Sequence, residues 1–214
     1  METTGQSTER QGGFTLVELL VSILLSLMLL GAVYGVYRAQ ARTLRVQEER
    51  LGAQEYVRTV TDIMVREIRN AGYAPTGATC AVVVAADAQS LQFRYDANAN
   101  GACTDADEDI TYSFDTTGCP SGYGNITRKE GSNAAQAFTD CNVPTGTTEF
   151  SFTYFPKDSS TAYSTPVAAG SLGSIQRVQV TVTVQSKNPD PVFGGQLTAT
   201  MTSNADLRNR GLPT

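Results

Sequence analysis

The chain contains no histidine and no tryptophan. Without imidazole, the commonest general base and metal ligand at neutral pH is missing, and any catalytic triad or zinc centre that depends on it is excluded. The four cysteines, Cys80, Cys103, Cys119 and Cys141, never approach the C-x-x-C spacing of zinc or redox sites, so disulfides in an oxidising compartment are expected. Positive charge is in deficit as well. Sixteen lysines and arginines face 21 acids for a net charge of -5, which leaves the surface as a whole without an electrostatic footprint for nucleic acid. No repeat of solenoid period is present. A length of 214 residues suits one globular unit plus an appendage.

What the sequence does have is a long apolar run. Residues 19–37 carry no charge, and a helix rising about 1.5 Å per residue over that length spans roughly 28 Å, close to the hydrocarbon thickness of a bilayer. A secretory signal peptide would offer an apolar part of only about 7 to 15 residues ending at a small-residue cleavage site. Here Arg38, Arg42, Leu44, Arg45, Glu48, Glu49 and Arg50 follow without a proline or turn cluster, which predicts one helix over residues 14–71. In its second part Val57, Val60, Met64, Ile68 and Ala71 recur at helical spacing, with Arg58, Asp62, Arg66 and Arg69 on other faces, a pattern that should lie on a sheet. Gly72 and Pro75 mark the end.

Just before the apolar run stand Gln11, Gly12, Gly13, Phe14, Thr15, Leu16, Val17 and Glu18. This stretch resembles the class III signal of type IV prepilins: a glycine, then a phenylalanine, then a glutamate at the fifth mature position, at the edge of a hydrophobic helix. Gly13, Phe14 and Glu18 match it position for position. The resemblance implies cleavage after Gly13 by prepilin peptidase on the cytoplasmic side, N-methylation of Phe14, and loss of residues 1–13. It implies residues 14–37 as the membrane and filament-core helix, 38–72 as its amphipathic continuation and 73–214 as a β-rich domain outside the inner membrane. The resemblance implies no cofactor.

Glu18 has a physical rationale of its own. An ionisable group at the mouth of an apolar helix costs up to about 3 kcal/mol and tends to mark function. The amine of a neighbouring subunit's Phe14 would compensate, since opposite charges about 4 Å apart gain roughly 1 to 4 kcal/mol. The plainer alternative is a glutamate reaching the interface of an ordinary anchor. Orientation is argued from the resemblance and the cysteines: Arg10 faces Glu2 and Glu9 in the leader while Arg38, Arg42 and Arg45 follow the span, so a positive-inside count favours the reverse.

Beyond the helix the period becomes two. Leu91, Phe93 and Tyr95, then Ile110, Tyr112 and Phe114, then Phe150, Phe152 and Tyr154 alternate. Val178, Val180, Val182 and Val184 do so most cleanly, with Gln179, Thr181, Thr183 and Gln185 expected to face water, and a last strand is expected over residues 197–202. Residues 121–125 and 156–173 read as loops. Tyr112, Phe114, Phe152, Tyr154 and Phe155 are expected to fill a core and not a ligand platform. The predicted fold is α+β, a long N-terminal helix packed on an antiparallel sheet, which is also the type IV pilin fold. Ile68 to Tyr73 and the closing Leu207, Arg208, Asn209 and Arg210 resemble PilW-type minor pilins.

Four cysteines allow three connectivities. A hairpin of residues 81–85 and 91–95 would bring Cys80 to the loop that holds Cys103, leaving Cys119 for Cys141. That loop also resembles an EF-hand calcium loop, with Asp96, Asn98 and Asn100 as alternate oxygen ligands, Gly101 at the turn, the carbonyl of Ala102, and Asp107 or Glu108 near the twelfth place. The alternative is a hairpin connection, because turns use Asp, Asn and Gly for backbone reasons alone.

The expected function is structural and not enzymatic: a minor pilin that joins other minor and major pilins through the inner-membrane assembly platform and helps start or cap a type IV pilus. A pseudopilin of a type II secretion system shares the same features. A surface-binding module, adhesin or DNA-uptake receptor, is the rival from another class, which a basic patch on the folded domain would favour.

Overall fold

The computed structural model describes residues 13–186 and 195–208. The expected leader up to residue 12, and Asn209 and Arg210 of the closing segment, lie outside the described residues.

The chain divides into two units, Met1–Gln47 and Glu48–Thr214. The described part of the first contains one element, the opening of helix α1, Leu16–Arg69. Its residues 13–40 are all exposed, although most of them are apolar. Two serines interrupt the apolarity without leaving a stranded hydroxyl, because Ser22 Oγ donates to the carbonyl of Glu18 and Ser26 Oγ to that of Ser22 at 2.7 Å.

The described part of the second unit begins with the rest of α1 and adds nine strands and one short helix: β1 (Val83–Ala86), β2 (Ser90–Arg94), β3 (Asp109–Asp115), β4 (Tyr123–Glu130), β5 (Gln136–Ala137), β6 (Val143–Pro144), β7 (Phe150–Pro156), α2 (Ala169–Leu172), β8 (Ile175–Gln185) and β9 (Thr198–Asp206). They form two antiparallel sheets, β1-β2-β3-β4-β5 with β6 also on β4, and β7-β8-β9. The helical stripe packs as its spacing predicts: Val57, Val60, Met64, Ile68 and Ala71 are all buried. The helix stops at Arg69, and Gly72 takes a φ of +77°, the left-handed turn that glycine adopts without a Cβ penalty.

The alternating strands follow the same logic. Leu91, Phe93, Ile110, Tyr112, Phe150, Phe152, Tyr154 and the four valines of β8 are buried, and Phe150 and Phe152 meet edge to face at 5.1 Å. The sheets are stitched by Phe152 N–H to the Ala88 carbonyl at 2.7 Å and by the Tyr154 hydroxyl to the carbonyls of Asp87 and Ser90 at 2.8 and 3.1 Å. Phe155 is only half-buried, with the Arg177 guanidinium 4.3 Å from its ring centre. On the far face of β8, Gln179, Thr181 and Gln185 keep partial exposure. Thr183 departs from expectation: it is buried, and its hydroxyl bonds to that of Thr200 at 2.8 Å.

Two further corrections concern loops. Residues 121–125 are expected as a connection, yet β4 starts at Tyr123, pairs with β6 through Tyr123 and Gly124, and pairs with β3 from Asn125 to Glu130. The strand escapes a hydrophobic pattern because Ile126 is its sole buried apolar side chain, and Gly124 is required by packing: a Cβ there would fall 2.4 Å from the Phe114 ring and 2.8 Å from the Asp115 carbonyl. Within the expected loop 156–173 sits α2, a single turn held by Ser171 N–H to the Ala168 carbonyl at 2.8 Å.

Candidate functional site: the N-terminal segment and the disulfide-tied domain

At the start of α1, Thr15 is the helix cap. Its Oγ1 accepts the N–H of Glu18 at 3.3 Å and its carbonyl accepts that of Leu19 at 3.2 Å. Thr15 and Glu18 thus occupy the first and fourth places of a T-x-x-E capping box. Glu18 consequently has a local role beside any intermolecular one, since a carboxylate in the first turn offsets the positive end of the macrodipole. The T-x-x-E spacing is the signal in the sequence that marks this second role of the glutamate. Gly13 and Phe14 precede the helix, exposed, with Phe14 82% open. Among the described residues α1 is the one helix long and apolar enough to cross a membrane, and its apolar window has no burial within the protein.

Two disulfides join Cys80 to Cys103 and Cys119 to Cys141, with Cα separations of 5.7 and 5.3 Å, both in the ordinary range. This is the pairing that the hairpin geometry favours. The first bridge ties the segment before β1 to the β2–β3 loop; the second ties the β3–β4 turn to the segment before β6.

The polar side chains of the β2–β3 loop bond mainly to backbone and side-chain donors of the same loop. Asp96 Oδ1 accepts Asn100 N–H at 3.1 Å, and its Oδ2 accepts Gly101 N–H at 3.1 Å and the Thr76 hydroxyl at 3.0 Å. Asn98 Oδ1 and Asn100 Oδ1 accept the N–H groups two residues ahead, at 2.9 and 2.7 Å. The amides of both asparagines donate to Asp105 Oδ2. Glu108 is fully buried, and its Oε1 accepts Ala97 and Asn98 N–H at 2.9 and 3.1 Å. Asp107 lies exposed, and no group of three or more Asp, Glu, Cys or His among the described residues is arranged to hold a metal. The bonds of Asn98 and Asn100 are Asx turns, and the D-x-N-x-N-G spacing that would line up oxygens for calcium also presents them to backbone N–H groups.

One polar constellation had no sequence signal. Glu67, on the half-buried flank of α1, accepts the Tyr112 hydroxyl at 2.6 Å and Arg128 Nε at 3.0 Å through one oxygen, and Arg128 also pairs with Glu130. It joins the helix to β3 and β4 through residues far apart in sequence. Burial opposes the charge on Arg128, but its bonds to Glu67 and Glu130 outweigh that and hold the guanidinium above its ordinary range. Burial, then the charge and hydrogen bond of Glu67, push the Tyr112 phenol well above the usual tyrosine value.

Comparisons with known proteins bear on this arrangement. The prokaryotic N-terminal methylation motif matches residues 9–34, the stretch that contains Gly13, Phe14, Glu18 and most of the apolar run. No curated protein matches at a significant level. The solved type IV-like pilin TTHA1219 from Thermus thermophilus aligns over 78% of this chain and 97% of its own at 10% identity, with a TM-score of 0.38. The family model for prepilin peptidase-dependent protein B matches residues 46–204, nearly three quarters of the sequence and almost all of the disulfide-tied domain, and this chain therefore belongs to the prepilin peptidase-dependent protein B family of type IV pilin-like proteins.

Proposed function

We propose that the chain is a minor pilin of the PilW-like kind: processed after Gly13, methylated at Phe14, held by α1 in the inner membrane with the disulfide-tied domain on the periplasmic side, and then built into a type IV pilus. The observation that carries this reading is the methylation motif at residues 9–34 on a helix whose apolar surface has no partner among the described residues. Such a surface is satisfied by lipid before assembly and by the helices of other pilins afterwards. Two disulfides support the periplasmic orientation, because they persist where thiols are oxidised. Prepilin peptidase, other minor and major pilins and the assembly platform are the partners. The role is assembly and not catalysis.

Mass spectrometry of the protein from cells with active prepilin peptidase is expected to give a chain that begins at methylated Phe14. An N-terminus still carrying residues 1–13 would overturn the assignment. Fractionation is expected to find the protein in sheared pili; recovery in the cell envelope alone would favour a secretion pseudopilin.

Glu18→Ala is expected to leave cleavage and insertion intact while lowering the amount in sheared pili at least about fivefold, as the loss of one charge pair of roughly 1 to 4 kcal/mol requires. Glu18→Gln separates the two roles of this residue: it can still serve the capping box but cannot neutralise an amine. Wild-type incorporation by Glu18→Gln would show that the charge is dispensable.

A further inference from the structure

We propose that a pocket at the C-terminal end of α1 binds the phosphodiester backbone of single-stranded nucleic acid, with a base stacked on Tyr73. Arg66, Arg69, Asn70, Tyr73 and Arg208 line this cavity of about 480 Å³. Every lining side chain carries a hydrogen-bond donor and none is acidic, in a chain whose net charge is -5. The three arginines are exposed, and Tyr73 keeps 46% of its surface open.

Cations in the last turn of a helix have an ordinary use, offsetting the macrodipole by about 0.3 to 1 kcal/mol each. That use covers Arg66 and Arg69 but does not extend to Arg208, which reaches the helix end from beyond β9. Arg208 is placed there by buried Leu207, whose N–H bonds to the Gln176 carbonyl at 2.8 Å, while Arg69 donates to the Asn204 carbonyl at 3.2 Å. Nor does it explain a half-exposed phenol ring in the same pocket.

The acids of the adjoining helix turns are engaged elsewhere, Asp62 with Arg58 at 3.8 Å and Glu67 with Arg128 at 3.0 Å. Neither Arg66 nor Arg208 forms an ion pair among the described residues. Two helix-end carbonyls that would repel an anion are covered, Glu67 by Asn70 N–H at 2.9 Å and Ile68 by Ala71 N–H at 3.0 Å.

Guanidinium forks match phosphate oxygens two at a time. An aromatic ring among them is the arrangement on which unpaired bases stack, and an acidic peptide would have no use for it. The acidic remainder of the surface confines contact to about two or three phosphates and keeps the affinity modest and salt-sensitive.

The test titrates the full chain, in neutral detergent micelles at low salt, into a fluorescein-labelled single-stranded DNA of about 20 nucleotides, followed by anisotropy. The double variant Arg66→Ala/Arg208→Ala is expected to weaken binding at least about tenfold and to reduce the log-log salt slope by about 1.4. Tyr73→Ala is expected to weaken it about five- to tenfold. Arg58→Ala, which removes a cation outside the pocket, should leave it unchanged. Equal binding by the double variant overturns the proposal, as does displacement of the DNA by phosphatidylglycerol added to the micelles at matched phosphate concentration, which would mark a lipid headgroup site. All the substituted side chains are exposed, so near-ultraviolet circular dichroism of each variant should overlay that of the parent.

Discussion

Reducing both disulfides is expected to lower the stability of the second unit by about 6 kcal/mol, the largest single effect anticipated for this protein. The bridges close loops with sequence separations of 23 and 22 residues, and the chain-entropy relation gives about 3 kcal/mol for each. The loops follow one another without nesting, so their constraints on the unfolded chain add. A domain of this size has a total stability of only about 5 to 15 kcal/mol, which leaves the reduced form near its unfolding threshold. Urea titration of the full chain in micelles, with and without a phosphine reductant, measures the effect. Replacing Cys80 and Cys103 by alanine should produce about half of it, as should replacing Cys119 and Cys141. An unchanged midpoint on full reduction would mean that the strands around the bridges hold their geometry unaided.

Stability is also expected to fall steeply above pH 10, by about 2.7 kcal/mol per pH unit. Tyr112 and Tyr154 are fully buried. Burial is the main cause that raises both phenols, joined at Tyr112 by Glu67 and at Tyr154 by the charge of Asp87. In the unfolded chain each ionises near pH 10, while in the folded protein each stays protonated well beyond that. Below pH 10 both states hold the proton and neither tyrosine makes stability pH-dependent. Above it the unfolded state binds fewer protons, so stability declines by about 1.4 kcal/mol per unit for each group. Urea midpoints between pH 8 and pH 12 should follow this course. Tyr112→Phe and Tyr154→Phe should each remove about half of the slope, although each lowers stability at neutral pH by deleting a hydrogen bond. A flat profile through pH 11 would show that these phenols ionise in place.

Periodicity made the helix and the principal strands legible because their residues do one thing each: Met64, Leu91 or Val180 is apolar and buried. β4 was illegible for the converse reason. Its sequence, Tyr-Gly-Asn-Ile-Thr-Arg-Lys-Glu, is recruited by the free edge of β3, and its glycine is fixed by a phenylalanine ten residues earlier in the chain. The junction of Gly13, Phe14 and Glu18 could be read because processing signals are linear. Glu67 with Tyr112 and Arg128, and Arg66 with Arg208, could not, since each set exists only once the chain has folded. The Asp96 loop shows a different limit, in that one spacing of Asp and Asn suits both a backbone turn and a cation loop, and here the oxygens accept backbone N–H groups.

The apolar surface of α1 runs around its whole circumference: Leu19, Leu20, Val21, Ile23, Leu24 and Leu25 are each at least half open and point in every direction about the axis. For such a cylinder the free energy of immersion in an apolar medium is nearly independent of rotation about its long axis. The medium therefore supplies no torque, and a bundle of such helices would spin in place like rollers in oil. Angular information must come from the few features that break the symmetry, and these are graded along the axis: the carboxylate of Glu18 at one end, the bare flanks of Gly31 and Gly35 further along. A substitution of one leucine by another apolar residue in this run should then be nearly silent, while a change at the symmetry-breaking positions redirects the whole cylinder.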